Sequence, residues 1–220
     1  MNEAPRAVVF DLDGTLVDSM PLVLRAYAYA LAPYRPEMGD AEILALLGGP
    51  PERFFTDVLG EAQAAAALAR LEAFGAANWQ LIESFAGMAE TIAELGRHAA
   101  VGLWTGRDRV STEWLLRTHG IAGLVRAGVC GDDLPSHKPD PAGLREVLRQ
   151  LGVAPAEAVF AGDADVDILA GTAAGVRTIL IEHGRAVPEE IRAQAWRRFD
   201  RPAQAYAFLR DMYPKNVYKK

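Results

Sequence analysis

The sequence predicts an α/β chain: a Rossmann-like core on a parallel sheet, interrupted near its start by an all-helical block. Three observations carry this reading. A short apolar run, Ala7–Phe10, ends abruptly in Asp11-Leu12-Asp13-Gly14-Thr15, as a buried strand does where it leaves a sheet. No strand signal is visible between Leu16 and Ala99. From Ala99 onward, short apolar runs alternate with helical segments, the pattern of βαβ units on a parallel sheet.

The elements follow in order. After the first strand, Ser19 is placed to cap a helix and Pro21 falls in its first turn, where a missing N–H costs little. Pro33 and Pro36 end that helix. Ile43, Leu44, Leu46 and Leu47 lie on a second helix, stopped by Gly48-Gly49-Pro50-Pro51. A third covers Arg53–Leu59, and a long Ala- and Leu-rich helix runs from Glu61 to Ile82. The core resumes with a helix over 86–98 and a strand over 99–104. The helix after it is capped by Asp108 or Ser111 and stopped by Gly120. A strand covers 125–129. Asp140-Pro141 starts the next helix as N-cap and first residue, and Gly152 ends it. Strands over 158–161 and 178–181 follow, separated by a helix that stops at Gly175. A last short strand near Arg198–Phe199 and a helix from Pro202 to Met212 complete the chain. The expected division is a core of 1–17 and 86–220 and a helical block of 18–85.

Composition narrows the function. The 220 residues suffice for a core plus a smaller inserted domain. A formal net charge of -6 argues against a nucleic-acid partner. A phosphate-bearing substrate would therefore meet local positive charge only: a metal, a lysine, or backbone N–H groups at helix starts. The single cysteine, Cys130, allows no intrachain disulfide and reads as a small apolar filler. The first residues carry no apolar h-region and no run approaches transmembrane length. The expectation is a soluble cytoplasmic protein with no membrane partner, a monomer with oligomerisation left open. The basic tail, Lys215 to Lys220, reads as a solvated end.

Four segments at strand ends carry the candidate chemistry: Asp11 and Asp13, then Thr105, then Lys138, then Asp163 and Asp167. In a parallel sheet these ends point the same way, so their side chains can converge. Alone, Asp-x-Asp-Gly would read as a cap and a turn; convergence changes that. Two nearby acids can divide labour, one as nucleophile or metal ligand and one as general acid/base. Lys138 is the first lysine in the chain, and every earlier fixed cation is an arginine. That choice suggests a need for a compact ammonium. Asp132 and Asp133 read as turn residues.

The motif Asp11-Leu12-Asp13-Gly14-Thr15 resembles the nucleophile motif of the haloacid dehalogenase (HAD) superfamily, most of whose members are phosphatases. Thr105-Gly106-Arg107, Lys138 and Gly162-Asp163 with Asp167 resemble its three further motifs, in order. The resemblance implies a Mg²⁺-dependent phosphatase of a small monoester working through an aspartyl-phosphate, in the phosphoglycolate-phosphatase-like branch. It makes Asp11 the nucleophile, Asp13 the acid/base, Thr105 a hydrogen-bond donor to a phosphoryl oxygen, and Lys138 the neighbouring positive charge. Mg²⁺ would be held by Asp11, Asp163 and the backbone carbonyl of Asp13, with Asp167 orienting a metal water or Lys138. Asp165 is extra to the pattern, and Ala164 stands where the family often has Ser or Thr.

The helical block corresponds to the family's cap. Its Gly48-Gly49-Pro50-Pro51-Glu52-Arg53 segment matches the place of a substrate-closing loop, which makes Arg53, with Gly106 and Arg107, a candidate substrate contact. A solvated Arg53 is the competing reading. The enzymatic alternative is a β-phosphoglucomutase-like sugar phosphomutase. Such mutases carry a cap-helix His where Val23 stands here, so the balance favours the hydrolase.

Overall fold

A computed structural model describes residues 4–47, 50–183 and 187–213. Six strands form one parallel sheet in the order β5-β4-β1-β6-β7-β8: β1 (Ala7–Phe10), β4 (Ala100–Trp104), β5 (Ala127–Val129), β6 (Ala158–Gly162), β7 (Arg177–Ile181) and β8 (Arg197–Phe199). Every pairing is parallel. The α/β reading therefore holds. The central strand β1 is fully buried along its length, which is why it reads as an unbroken apolar run rather than an alternation. Each of Val8, Val9 and Phe10 contributes about 1.5–3 kcal/mol by leaving water.

The register places the chemistry. Phe10 lies opposite Leu103 on β4 and Ala161 on β6. Asp11, Thr105 and Asp163 therefore all leave the sheet within two residues of one level. The chain builds outward from β1 through β4 and β5, then returns to build β6, β7 and β8 on the other side. That reversal falls beside β1, and open α/β sheets bind ligands at the carboxyl ends of the strands at such a reversal.

Two compact units are present, Met1–Asp18 with Ser84–Lys220, and Ser19–Glu83. The first holds the sheet together with α5 (Met88–Leu95), α6 (Arg109–Thr118), α7 (Ala142–Leu151), α8 (Asp165–Ala174), α9 (Glu189–Arg192) and α10 (Pro202–Asp211). Leu144, Val147 and Leu148 of α7 pack with Val9, Trp104 and Phe160. The second unit holds α1 (Met20–Leu31), α2 (Asp40–Leu46), α3 (Pro51–Leu59) and α4 (Glu61–Ala77). Its core gathers Tyr27, Ile43, Phe54, Phe55, Ala64 and Ala67. The Tyr27 ring meets Phe54 edge-on at 4.7 Å and stacks on Phe55 at 5.4 Å. Ala64 and Ala67, one turn apart on α4, and Ala30 on α1 are the small residues in this cluster.

Several local expectations are corrected. Two short strands, β2 (Val17–Asp18) and β3 (Glu83–Ser84), form a separate two-stranded sheet in the region read as strand-free. Two residues are too few to show a period. The long helix stops at Ala77 instead of Ile82, because Asn78 turns its side-chain amide back onto the Phe74 carbonyl at 2.8 Å. A 3₁₀ turn, Trp79–Leu81, follows. Ser19 stands before α1 but makes no side-chain cap. Helix α7 starts at Ala142, and Asp140 still accepts from its backbone N–H at 2.8 Å. Gly48 and Gly49, and the tail from Lys215, lie outside the described residues.

Helix α8 begins with half a capping box. Asp167 reaches back to the backbone N–H of Ala164 at 3.0 Å, but Ala164 has no oxygen to return the bond. Its extended backbone, φ -112° and ψ 158°, already suits a capping residue. Ala164→Ser should stabilise the protein by about 1 kcal/mol. Thermal unfolding followed by circular dichroism should show a Tm higher by about 2–4 °C; an unchanged or lower Tm would mean that the serine hydroxyl fails to reach the first turn.

Candidate active site

Lys138 is the point where the candidate residues meet. Its ammonium donates to Asp11 Oδ1 at 2.6 Å and pairs with Asp167 Oδ1 at 2.7 Å. All three side chains are nearly excluded from water, and the Nζ lies 4.9 Å from the Trp104 ring centre and 5.3 Å from that of Phe160. Among the described residues Lys138 is the only lysine. Burial opposes its charge, but Asp11 and Asp167 more than offset this and hold it cationic well above the ordinary lysine range.

Asp167 is fully engaged. Its Oδ2 accepts from the backbone N–H groups of Asp163 and Ala164 at 3.1 and 3.0 Å, while Oδ1 faces Lys138. Gly162 leaves room for this, since a Cβ there would lie 2.4 Å from Asp167 Oδ2. Asp165 stands apart at the start of α8 and accepts from Val166 N–H. Gly14 is the other glycine the site requires. Its φ is +78°, and a Cβ would lie 2.2 Å from Asp163 Oδ2, so the turn after Asp13 is pressed against that carboxylate.

Asp11, Asp163 and Asp167 are all buried, and each offers an oxygen within 4.8 Å of the others. Two of these carboxylates, on Asp11 and Asp167, share the one Lys138 ammonium in a dry place. Burial, and then the neighbouring Asp167 and Asp13, push Asp11 up to about 7 against the opposing pull of Lys138. An all-oxygen donor set suits a hard divalent cation such as Mg²⁺. The residues therefore fit such an ion.

Asp13 points into a different partnership. Arg107 forks onto it, Nε to Oδ2 at 3.0 Å and Nη2 to Oδ1 at 2.7 Å. The Thr105 hydroxyl accepts from Arg107 N–H at 3.1 Å, which leaves its own proton to donate elsewhere. Gly106 follows in the same turn. Arg53 lies on the exposed face of α3, paired with Asp57 at 3.6 Å. Val23 packs against the apolar core of the helical unit.

Some contributors were not legible in the sequence. Asp132 and Asp133 are more than turn residues. Asp132 accepts from the Arg109 backbone N–H at 2.9 Å, and Asp133 is forked by the Arg109 side chain and accepts from Cys130 N–H at 2.6 Å. Gly131 N–H donates to the Arg107 carbonyl at 2.8 Å. The loop bearing Arg107 and the loop leading to Lys138 are thereby stitched together. Tyr206 on α10, buried, donates to the Thr15 carbonyl and so braces the turn after Asp13. No local pattern signals a tyrosine 191 positions from its acceptor.

The chain has relatives in sequence and in fold. Residues 8–181 match the family model described as haloacid dehalogenase-like hydrolase. Phosphoglycolate phosphatase 1 of Pseudomonas aeruginosa is 35% identical over an alignment of 201 residues that covers 84% of this chain and 74% of that protein. The pyrophosphatase PpaX of Bacillus velezensis is 31% identical over 175 residues, 78% of this chain and 81% of its own. A solved haloacid dehalogenase-like family hydrolase from Streptococcus pneumoniae, 21% identical, shares the fold with a TM-score of 0.79 over 93% of this chain and 98% of its own. The chain belongs to the haloacid dehalogenase-like hydrolases. Within them it is an enzyme of the phosphatase kind, a phosphoric monoester hydrolase. Among the described residues, no helix is long and apolar enough to cross a membrane.

The raised Asp11 value sets a pH dependence. An acid whose pKa is raised keeps its proton to higher pH, and a cation must displace that proton to bind. Mg²⁺ affinity should therefore rise as pH increases through about 7 and level off above it. Calorimetry in buffers of different ionisation enthalpy should detect a proton released near pH 6 and almost none at pH 8.5. Affinity that is flat over this range would show that Asp11 is already ionised without the metal.

Proposed function

We propose that the protein is a cytoplasmic, monomeric, Mg²⁺-dependent phosphatase that hydrolyses a small phosphate monoester through an aspartyl-phosphate on Asp11. The observation that carries this reading is the buried Lys138 ammonium between Asp11 and Asp167, with Asp163 beside them. Phosphoryl transfer needs an in-line nucleophile, neutralisation of the equatorial oxygens and a proton for the leaving oxygen. Each requirement has a residue. Asp11 attacks phosphorus and forms the new P–O bond as the ester oxygen departs. Asp13 gives that oxygen a proton, then takes one from the water that attacks phosphorus. The second attack releases inorganic phosphate and restores Asp11. Thr105 donates its hydroxyl proton to a phosphoryl oxygen, and Lys138 supplies positive charge beside Asp11.

Asp11, Asp163 and the backbone carbonyl of Asp13 are the proposed holders of Mg²⁺, with Asp167 orienting Lys138. When bound, the ion supplies positive charge against the transferring phosphoryl oxygens. Gly106 is the proposed substrate contact within the core unit. Arg107, with its fork committed to Asp13, is not counted with it. The names of the relatives support a small, compact ester such as phosphoglycolate as the first substrate to try.

The test is a phosphate-release screen of purified protein with Mg²⁺, covering phosphoglycolate, other phosphorylated metabolites and pyrophosphate. A monoester should be hydrolysed best, and EDTA should abolish the activity. Asp11→Asn should lose essentially all turnover while remaining folded. Asp163→Ala should weaken Mg²⁺ by about 10-fold or more, and Asp165→Ala should leave it nearly unchanged. Hydrolysis by Asp11→Asn, or the reverse order for the two metal-side variants, would sink the assignment.

A further inference from the structure

Asp13 sits where its carboxylate has freedom to turn. Its side chain is about a third exposed, against less than a tenth for Asp11. An acid/base group that wanders by an ångström loses its advantage, since small misplacements can cost about 10²-fold in rate. What fixes Asp13 is the fork from Arg107, whose two N–H groups define both the position and the plane of the carboxylate. Arg107 is itself fixed from both sides. Its N–H is held by Thr105 Oγ1 and its carbonyl by Gly131 N–H. The approach is close: a Cβ on Gly131 would lie 2.1 Å from the Gly106 carbonyl oxygen. The neighbouring Arg109 then ties the same turn to Asp132 and Asp133.

We infer that Arg107 is the positioning residue of Asp13, acting through that carboxylate on the leaving oxygen rather than by gripping the phosphoryl group. The inference rests on the phosphatase reading above. It has a consequence that simple phosphate binding lacks. Proton delivery matters for a poor leaving group such as an alkoxide and hardly at all for a dinitrophenolate. Loss of the fork therefore damages alkyl esters selectively. Lysine keeps the charge but has no fork, so it restores little.

The experiment measures kcat/KM, which reports the first, leaving-group-dependent step, for an alkyl phosphate and for dinitrophenyl phosphate. Wild type, Arg107→Ala, Arg107→Lys, Asp13→Asn and the Arg107→Ala/Asp13→Asn double variant are compared, each checked for folding by circular dichroism. Arg107→Ala should lower the alkyl value by about 10²-fold and the dinitrophenyl value by less than about 5-fold, with inhibition by inorganic phosphate little changed. Arg107→Lys should recover no more than about a tenth of the lost activity. In the double variant the alkyl loss should equal that of Asp13→Asn alone, because both changes disable one function. Equal losses on the two esters with weakened phosphate inhibition, or losses that multiply in the double variant, would overturn the inference and place Arg107 on the phosphoryl group. If Arg107→Ala does not fold, Arg107→Lys carries the same comparison. Failure of wild type on both esters would instead sink the phosphatase reading itself.

Discussion

The ammonium of Lys138 is the constraint on which the rest of the site depends. It draws together the end of β1 through Asp11 and the start of α8 through Asp167, from its own loop beyond β5. Nothing shorter than a lysine would reach both, and the rings of Trp104 and Phe160 close around the Nζ. Removing one member of so buried a pairing costs about 3–5 kcal/mol, because the remaining charge is left without a partner. The same exclusion of water makes the group useful. In a dry site an ammonium beside a carboxylate interacts far more strongly than at a surface. Asp11, Asp163 and Asp167 lie close enough together that they could hold a hard cation.

Around this hub the polar bonds are arranged in two independent clasps. One is the Asp167 carboxylate, which closes the turn from β6 into α8 and leaves Asp163 beside the Gly14 turn. The other runs through Arg107, Gly131, Arg109, Asp132 and Asp133 and joins the turns after β4 and β5. The first clasp sets the acids that would bind metal. The second sets Asp13, through Arg107. Tyr206 reaches from α10 to the Thr15 carbonyl and braces the turn that both clasps meet.

Much of this was legible in the residues, and the reason is physical. Buried parallel strands read as unbroken apolar runs, so β1, β4, β6 and β7 declare themselves. Their polar ends declare the side of the sheet that carries chemistry. Asp11, Lys138, Asp163 and Asp167 are found together as the parallel ends require. Less visible were features without a period or a local partner. The two-residue strands β2 and β3 are too short for a pattern. Asn78 ends α4 by a side-chain bond that propensity alone does not reveal. The Arg107 fork, 94 residues from its acceptor, and the Arg109 clasp exist only once the sheet has brought their loops together. Sequence spacing located the strand ends; it did not show which arginine would face which acid.

In the proposed reaction Asp11 bonds to phosphorus, and the acids beside it would hold the metal. A crystal structure of the protein with Mg²⁺ and beryllofluoride tests this most directly, since the fluoride complex bonds to the carboxylate that accepts a phosphoryl group. Beryllium should sit on an Asp11 carboxylate oxygen, with the cation against Asp11, Asp163 and the Asp13 carbonyl, and Lys138 still paired with Asp11. Beryllofluoride bonded to a different side chain, or the cation seated at Asp165, would contradict this reading.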